Sequence, residues 1–161
     1  MIDILVYLFE TYGYADACPE EPEQLARKLS AAGFEEADIQ EAIDWLTGLR
    51  LAGQATTQVQ AASGSVRIFC DYELSRLDLG SRGFLSFLET SGVLDERRRE
   101  LVIERALAMP DAEVTVSQFK VIVLMVLWQE RAAVDPLILD ELLTDESDEP
   151  ASLWQEAVII H

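Results

Sequence analysis

The sequence predicts a mainly α-helical protein that carries one small β-hairpin. Apolar residues, half of the 161, recur mostly at the three- and four-residue spacing of amphipathic helices. One stretch after Gly53 instead resembles two short strands. Three helices followed by a hairpin is the order of a winged-helix module. We therefore expect a winged-helix-like half over residues 1–70 and a helical half over residues 71–161, packed together as one domain.

Three helices are predicted before residue 53. The first begins near Ile2 and ends before Gly13, because its apolar residues form one stripe and glycine favours a stop. The second begins at Pro22, where a helix loses no useful N–H, and ends at Gly33. The third covers about 35–50 and starts with acidic residues, which favour the positive end of the helix dipole.

The hairpin is predicted from composition. The segments 54–60 (QATTQVQ) and 65–70 (SVRIFC) are rich in β-branched and aromatic residues, and Ser63-Gly64 supplies a turn between them. In the second segment, alternate residues fall on opposite faces, as expected of a strand.

Helical signals resume after residue 70 and are marked by capping residues. The run 119–128 is apolar except for one lysine and is about half as long as a membrane span, so it predicts a core helix. The segment 145–150 is predicted to be an acidic loop, followed by a short apolar turn. The predicted N-caps are Asp71, Ser81, Asp95, Thr115 (with Gln118 in a capping box) and Asp135. The predicted core includes Leu5, Phe9, Leu29, Ile43, Leu46, Leu88, Leu101, Leu124 and Leu127.

The net charge of −18, from 30 acidic and 12 basic residues, excludes several functions. Broad attachment to nucleic acid or to anionic lipid needs clustered cations, which this chain lacks overall. The apolar N-terminus carries acidic residues and no basic region, so it is a poor signal peptide. Two cysteines fit a reducing compartment better than a disulfide scaffold. We expect a cytoplasmic protein with no membrane association.

The third predicted helix carries five acidic residues and one arginine, a net charge of −4. In a winged-helix module this helix would enter the major groove, but backbone phosphates would repel it, which argues against duplex DNA. Its carboxylates instead make Glu36, Glu41 and Asp44 candidates for contact with a partner protein. The simpler interpretation is a solvated helix face.

Residues 54–110 carry 7 basic residues, all arginine, against 8 acidic residues. Three of them, Arg97, Arg98 and Arg99, lie in the first turn of a predicted helix, where positive charge is mildly unfavourable. Either they pair with neighbouring carboxylates, or they form a local patch that binds phosphate or an acidic partner. They are the second set of candidate interaction residues.

The chain shows no catalytic, metal-binding or cofactor-binding constellation. His161 is the only histidine, so serine or cysteine nucleophiles lack a general base. Cys18, Cys70 and His161 are too few for a structural zinc site, and no phosphate-binding or dinucleotide-binding glycine motif occurs. We predict no cofactor and no enzymatic activity. Chemistry that uses only carboxylates is the remaining enzymatic alternative.

Several blocks of the sequence resemble the bacterial Smg family. They are MIDILVYLFETY at the start, AAGFEEADIQEAIDWLTGL over 31–49, RGFLSFLETSGVLDERRRELVIERALA over 82–108 and FKVIVLMVL over 119–127. The similarity extends from Met1 to about Leu143, and the tail after about residue 144 departs from it. The resemblance implies a cytosolic bacterial protein whose family has no assigned biochemical function. It transfers no catalytic residues.

Taken together, these observations predict a non-enzymatic protein–protein interaction module that binds a basic or amphipathic partner through an acidic face. The alternative is an RNA-binding or ribosome-associated protein that uses the arginine-rich segment 67–105. The sequence does not identify the partner.

Overall fold

Helices account for all the regular secondary structure in residues 1–55 and 68–144, the part of the chain that the computed structural model describes. A short 3-10 helix at Ala15–Ala17 separates the first two α-helices. The α-helices are α1 (Ile2–Thr11), α2 (Pro22–Ala31), α3 (Glu36–Ala55), α4 (Asp71–Arg76), α5 (Leu79–Thr90), α6 (Glu96–Leu107), α7 (Val116–Gln129) and α8 (Pro136–Leu143).

Helix α7 is the centre of the fold. It packs against α1, α5, α6 and α8, and every residue from Phe119 to Trp128 is buried. A helix that is apolar on all sides is expected in such a position, so the predicted core helix is confirmed. Within the described residues, no helix is long and apolar enough to cross a membrane.

Helix α3 connects the N-terminal helices to the rest of the core, since it packs against α1, α2 and α6. One hydrophobic cluster contains side chains from both predicted halves, from Leu5 in α1 to Leu142 in α8. The boundary at residue 70 stays a prediction. Eight of the nine predicted core residues are buried, and Phe9 is partly buried against the same cluster.

Three of the five predicted helix caps are confirmed. The side chains of Asp95, Thr115 and Asp135 each accept a backbone N–H hydrogen bond at the start of α6, α7 and α8. Two predicted caps are wrong. Helix α5 begins at Leu79, two residues before Ser81, and its cap is Asp78, whose Oδ1 accepts the Ser81 backbone N–H at 2.7 Å. Asp71 is the first residue of α4 rather than its cap.

The predicted β-hairpin is wrong. Its first residues, 54 and 55, continue α3, and residues 68–70 form no strand; the remainder, 56–67, lies outside the described residues. The described chain contains only an isolated bridge between Leu77 and Val114. Helix α3 continues beyond its predicted end near residue 50 and through Gly53. Glycine in a helix is less favourable than alanine by only about 1 kcal/mol, and Leu51, Ala52, Gln54 and Ala55 around it are good helix formers. Without the hairpin, the winged-helix-like half has no support.

Candidate interaction surface

The candidate carboxylates of α3 lie on its solvent-facing side. Glu36, Glu41 and Asp44 are all exposed. Asp44 accepts a hydrogen bond from Gln40 Nε2 at 2.8 Å. Among the described residues, no cation forms an ion pair with any of the three carboxylates, whereas the neighbouring Asp38 lies 3.5 Å from the N-terminal amine. This set is called the α3 acidic face below.

The same side of α3 ends in an apolar residue. Leu51 is 62% exposed, and it lies two turns after Asp44. With 100° per residue, Asp44 and Leu51 fall close to the midline of the exposed side, while Glu36 and Glu41 fall toward its two edges. The surface therefore changes along the helix axis from acidic to apolar.

A cleft of about 600 Å³ opens beside Leu51, between α3, the 3-10 helix and the end of α7. Arg50 Nη1 in its wall donates to the Glu20 carbonyl at 3.4 Å, and Asp16 pairs with Arg131 nearby. The lining residues are Ala15, Asp16, Glu20, Pro22, Thr47, Arg50, Leu51, Gly53, Gln54, Gln129 and Glu130.

The predicted arginine set is bound to carboxylates of the same chain. Arg97 Nη2 and Arg98 Nε both bind Glu130, the latter at 2.6 Å from Oε2. The Glu130 side chain is only 12% exposed. Arg99 is 10% exposed and binds Glu89 Oε1 at 3.0 Å and Glu100 Oε1 at 3.1 Å. The start of α6 therefore lies beside the end of α7. Positive charge is unfavourable at the start of a helix and negative charge at its end, so the Arg97 and Arg98 charges and the Glu130 charge neutralise each other.

Arg76, another arginine of the middle segment, also binds groups within the fold. Arg76 Nη2 donates to the carbonyls of Met109 and Asp111, each at 2.8 Å. Arg82 is half-buried, and its Nε has no hydrogen-bond partner. Arg67 lies outside the described residues.

Sequence reasoning missed a reciprocal contact between α3 and α6. Trp45 Nε1 donates to the Arg105 carbonyl at 3.0 Å, and Arg105 Nη1 donates to the Trp45 carbonyl at 3.2 Å. A Cβ on Gly48 would lie 2.2 Å from Arg105 Nη1, so only glycine admits the guanidinium here. A glycine inside a predicted helix was the available signal.

The thiols and carboxylates of the described chain form no recognisable reactive centre. No group of three or more His, Cys, Asp or Glu side chains within residues 1–55 and 68–144 could hold a metal ion. Both cysteines are free, Cys18 buried and Cys70 exposed. Burial raises the pKa of the Cys18 thiol, and the Arg50 and Lys28 charges offset part of this rise. His161 lies outside the described residues.

Comparison with known proteins identifies relatives along almost the whole chain. A family model described as "Protein of unknown function (DUF494)" matches residues 1–151. A "Protein Smg homolog" of Aromatoleum aromaticum is 56% identical, covering 96% of this chain and 100% of the relative. Another from Azoarcus sp. is 56% identical over 95% of this chain and 99% of its own length. One from Bordetella pertussis is 47% identical, with coverages of 91% and 96%. No solved structure matches.

Proposed function

The chain belongs to the bacterial Smg family, and from that premise we propose that it acts in the cytoplasm as a non-enzymatic protein–protein interaction module. The α3 acidic face is its contact surface, and the partner presents basic side chains to it. The proposal includes no cofactor and no catalytic step.

The observation that carries this proposal is the difference between the two candidate charge sets. A partner cation can approach Glu36, Glu41 or Asp44 without breaking an ion pair within the described chain. A phosphate or acidic peptide at Arg97 and Arg98 would first have to displace the Glu130 carboxylate. Hydrogen bonds between charged groups contribute about 1.5–3 kcal/mol each. The acidic face is therefore the surface that binds at the lower free-energy cost.

An affinity capture from native cytosol tests this proposal. The bait is the full chain, and the test variant is Glu36→Gln/Glu41→Gln/Asp44→Asn. A matched control neutralises the same number and types of exposed carboxylates elsewhere, at Glu10, Glu113 and Asp140. We expect the test variant to lose its protein partners, the control to keep them, and added salt to weaken capture.

The arginine-rich alternative predicts the opposite pattern. A variant with glutamine at residues 97–99 would then lose RNA or ribosomes, while the α3 variant would keep them. Each lost phosphate contact would also lower the salt slope of binding by about one unit. A correctly folded arginine variant that loses every partner would contradict our proposal.

A further inference from the structure

We propose that the outer side of α3 and the cleft beside Leu51 together bind one amphipathic helical segment, whose basic residues face the α3 acidic face and whose apolar residue covers Leu51. This inference rests on the proposed function and specifies the partner's chemistry. It also gives a role to Leu51 and to the cleft beside it, neither of which takes part in binding through the acidic face alone.

Leu51 carries the apolar half of the inference. Its side chain is 62% exposed at the centre of the outer side of a helix whose other side is buried. A single exposed leucine is ordinary on a protein surface. Here it adjoins a cleft of about 600 Å³ whose walls include the apolar residues Ala15 and Pro22. A large apolar side chain placed there would contact both Leu51 and the cleft.

The spacing along α3 fixes the partner's pattern. Asp44 and Leu51 are seven residues apart, which corresponds to about 10 Å along a helix axis. A partner helix packed along α3 presents side chains at the same separation if they are seven residues apart. We therefore expect a leucine or an aromatic residue with a lysine or arginine seven positions away, and a second cation three or four positions beyond that.

Charge complementarity selects this occupant over a second copy of the same chain. Each copy carries a net charge of −18, and a self-contact would bring unpaired carboxylates close to one another. Like charges at an interface oppose association. A basic segment instead gains attraction at Glu36, Glu41 and Asp44, and it buries Leu51 as a central apolar anchor.

Selection from a displayed library of random peptides against the full chain tests the inference without a known partner. Enriched peptides are synthesised, and their affinities are measured by fluorescence anisotropy for the wild type and for Leu51→Ser. The matched control is Leu79→Ser, because Leu79 is 76% exposed on a different helix. The charge variants are the α3 triple variant and its matched control described above.

We expect enriched peptides to combine an apolar residue with cations at the stated spacing. Leu51→Ser should weaken them about tenfold, as expected when burial of most of a leucine side chain is lost. Leu79→Ser should leave affinity unchanged. The α3 triple variant should also weaken binding, and the loss should shrink at high salt.

The outcomes separate this inference from the proposed function. Peptides that respond to the charge variant but not to Leu51→Ser would overturn the inference and leave the acidic face as a binding surface. Peptides that respond to neither, or no enrichment, would overturn both. A concentration-dependent dimer that Leu51→Ser dissociates would assign the surface to a second copy and also overturn the inference.

Discussion

Substitution of Gly48 by alanine tests whether the contact between α3 and α6 stabilises the fold. The new Cβ would lie 2.2 Å from Arg105 Nη1 and 3.0 Å from Cζ. The guanidinium is the end of a flexible side chain, so it can withdraw without moving the backbone. Withdrawal breaks its 3.2 Å hydrogen bond to the Trp45 carbonyl.

Two opposing contributions determine the size of the effect. A hydrogen bond from a charged group contributes about 1.5–3 kcal/mol when its loss leaves a buried group unpaired. Arg105 is only 9% exposed, and its Nε already lacks a partner, so water compensates poorly. Alanine in place of glycine stabilises a helix by about 1 kcal/mol. The free energy of unfolding should therefore fall by about 0.5–2 kcal/mol.

Gly53→Ala is the matched control, because it lies in the same helix and its Cβ would meet no atom within 4 Å. Urea unfolding should show Gly48→Ala destabilised and Gly53→Ala stabilised by up to about 1 kcal/mol. In an Arg105→Met background the guanidinium is absent, so Gly48→Ala should raise the free energy of unfolding by the helix-propensity difference between glycine and alanine. Equal stabilisation by both alanines in the wild-type background would refute the reasoning.

Three further predictions concern buried charges and thiols. Glutamine at all three positions of residues 97–99 should lower the free energy of unfolding by about 1–3 kcal/mol, measured in urea. The reason is that Glu130, whose side chain is 12% exposed, and the more exposed Glu89 lose their cations; unchanged stability would contradict this. Glu141→Ala should destabilise more than Lys120→Met, since only the former leaves a buried ammonium, in a side chain 6% exposed, without its partner 3.0 Å away; thermal melts that rank them in reverse would contradict it. Titration with an aromatic disulfide reagent should modify Cys70 rapidly and Cys18 only after unfolding, because Cys18 is buried and its raised pKa lowers its thiolate fraction.

The helical architecture was predictable because it depends on patterns that neighbouring residues determine. Apart from Lys120, the run 119–128 is apolar around its whole circumference, as expected of a helix at the centre of a helical core. The capping box at Thr115 and Gln118 is likewise local, since each side chain binds the other's backbone N–H. Local signals failed after residue 50, where α3 continues to Ala55. The composition of a short segment predicts strands only weakly, because strand preference depends on packing against neighbouring strands.

The solvent exposure of the candidate carboxylates was predictable, but their surroundings were not. Helical spacing places Glu36, Glu41 and Asp44 toward solvent once the buried stripe of α3 is identified. The partners of the arginine run were not predictable, because Glu130 lies more than thirty residues away in sequence and reaches Arg98 only when α6 packs beside α7. The cleft beside Leu51 also depends on residues far apart in sequence.

The last prediction follows from how the fold distributes its few cations. Several cations are bound to carboxylates of the same chain, namely Arg97, Arg98, Arg99, Arg105 and Lys120. These cations and their partner carboxylates neutralise one another, so the net charge of −18 arises from charged residues outside these pairs, most of which are acidic. Exposed like charges destabilise the compact state by mutual repulsion, and salt screens them over about 10 Å at 0.1 M. The partly buried ion pairs are screened much less. Raising sodium chloride from 0.05 to 0.5 M should therefore increase the free energy of unfolding.

Neutralising the α3 acidic face should change the free energy of unfolding by no more than about 0.5 kcal/mol. Loss of the Glu36 charge removes a favourable interaction with the positive end of the α3 dipole, whereas loss of the Glu41 and Asp44 charges reduces repulsion between carboxylates. Urea unfolding at both salt concentrations measures both effects. A wild-type protein that salt destabilises would mean that its ion pairs, and not its excess negative charge, dominate its electrostatics.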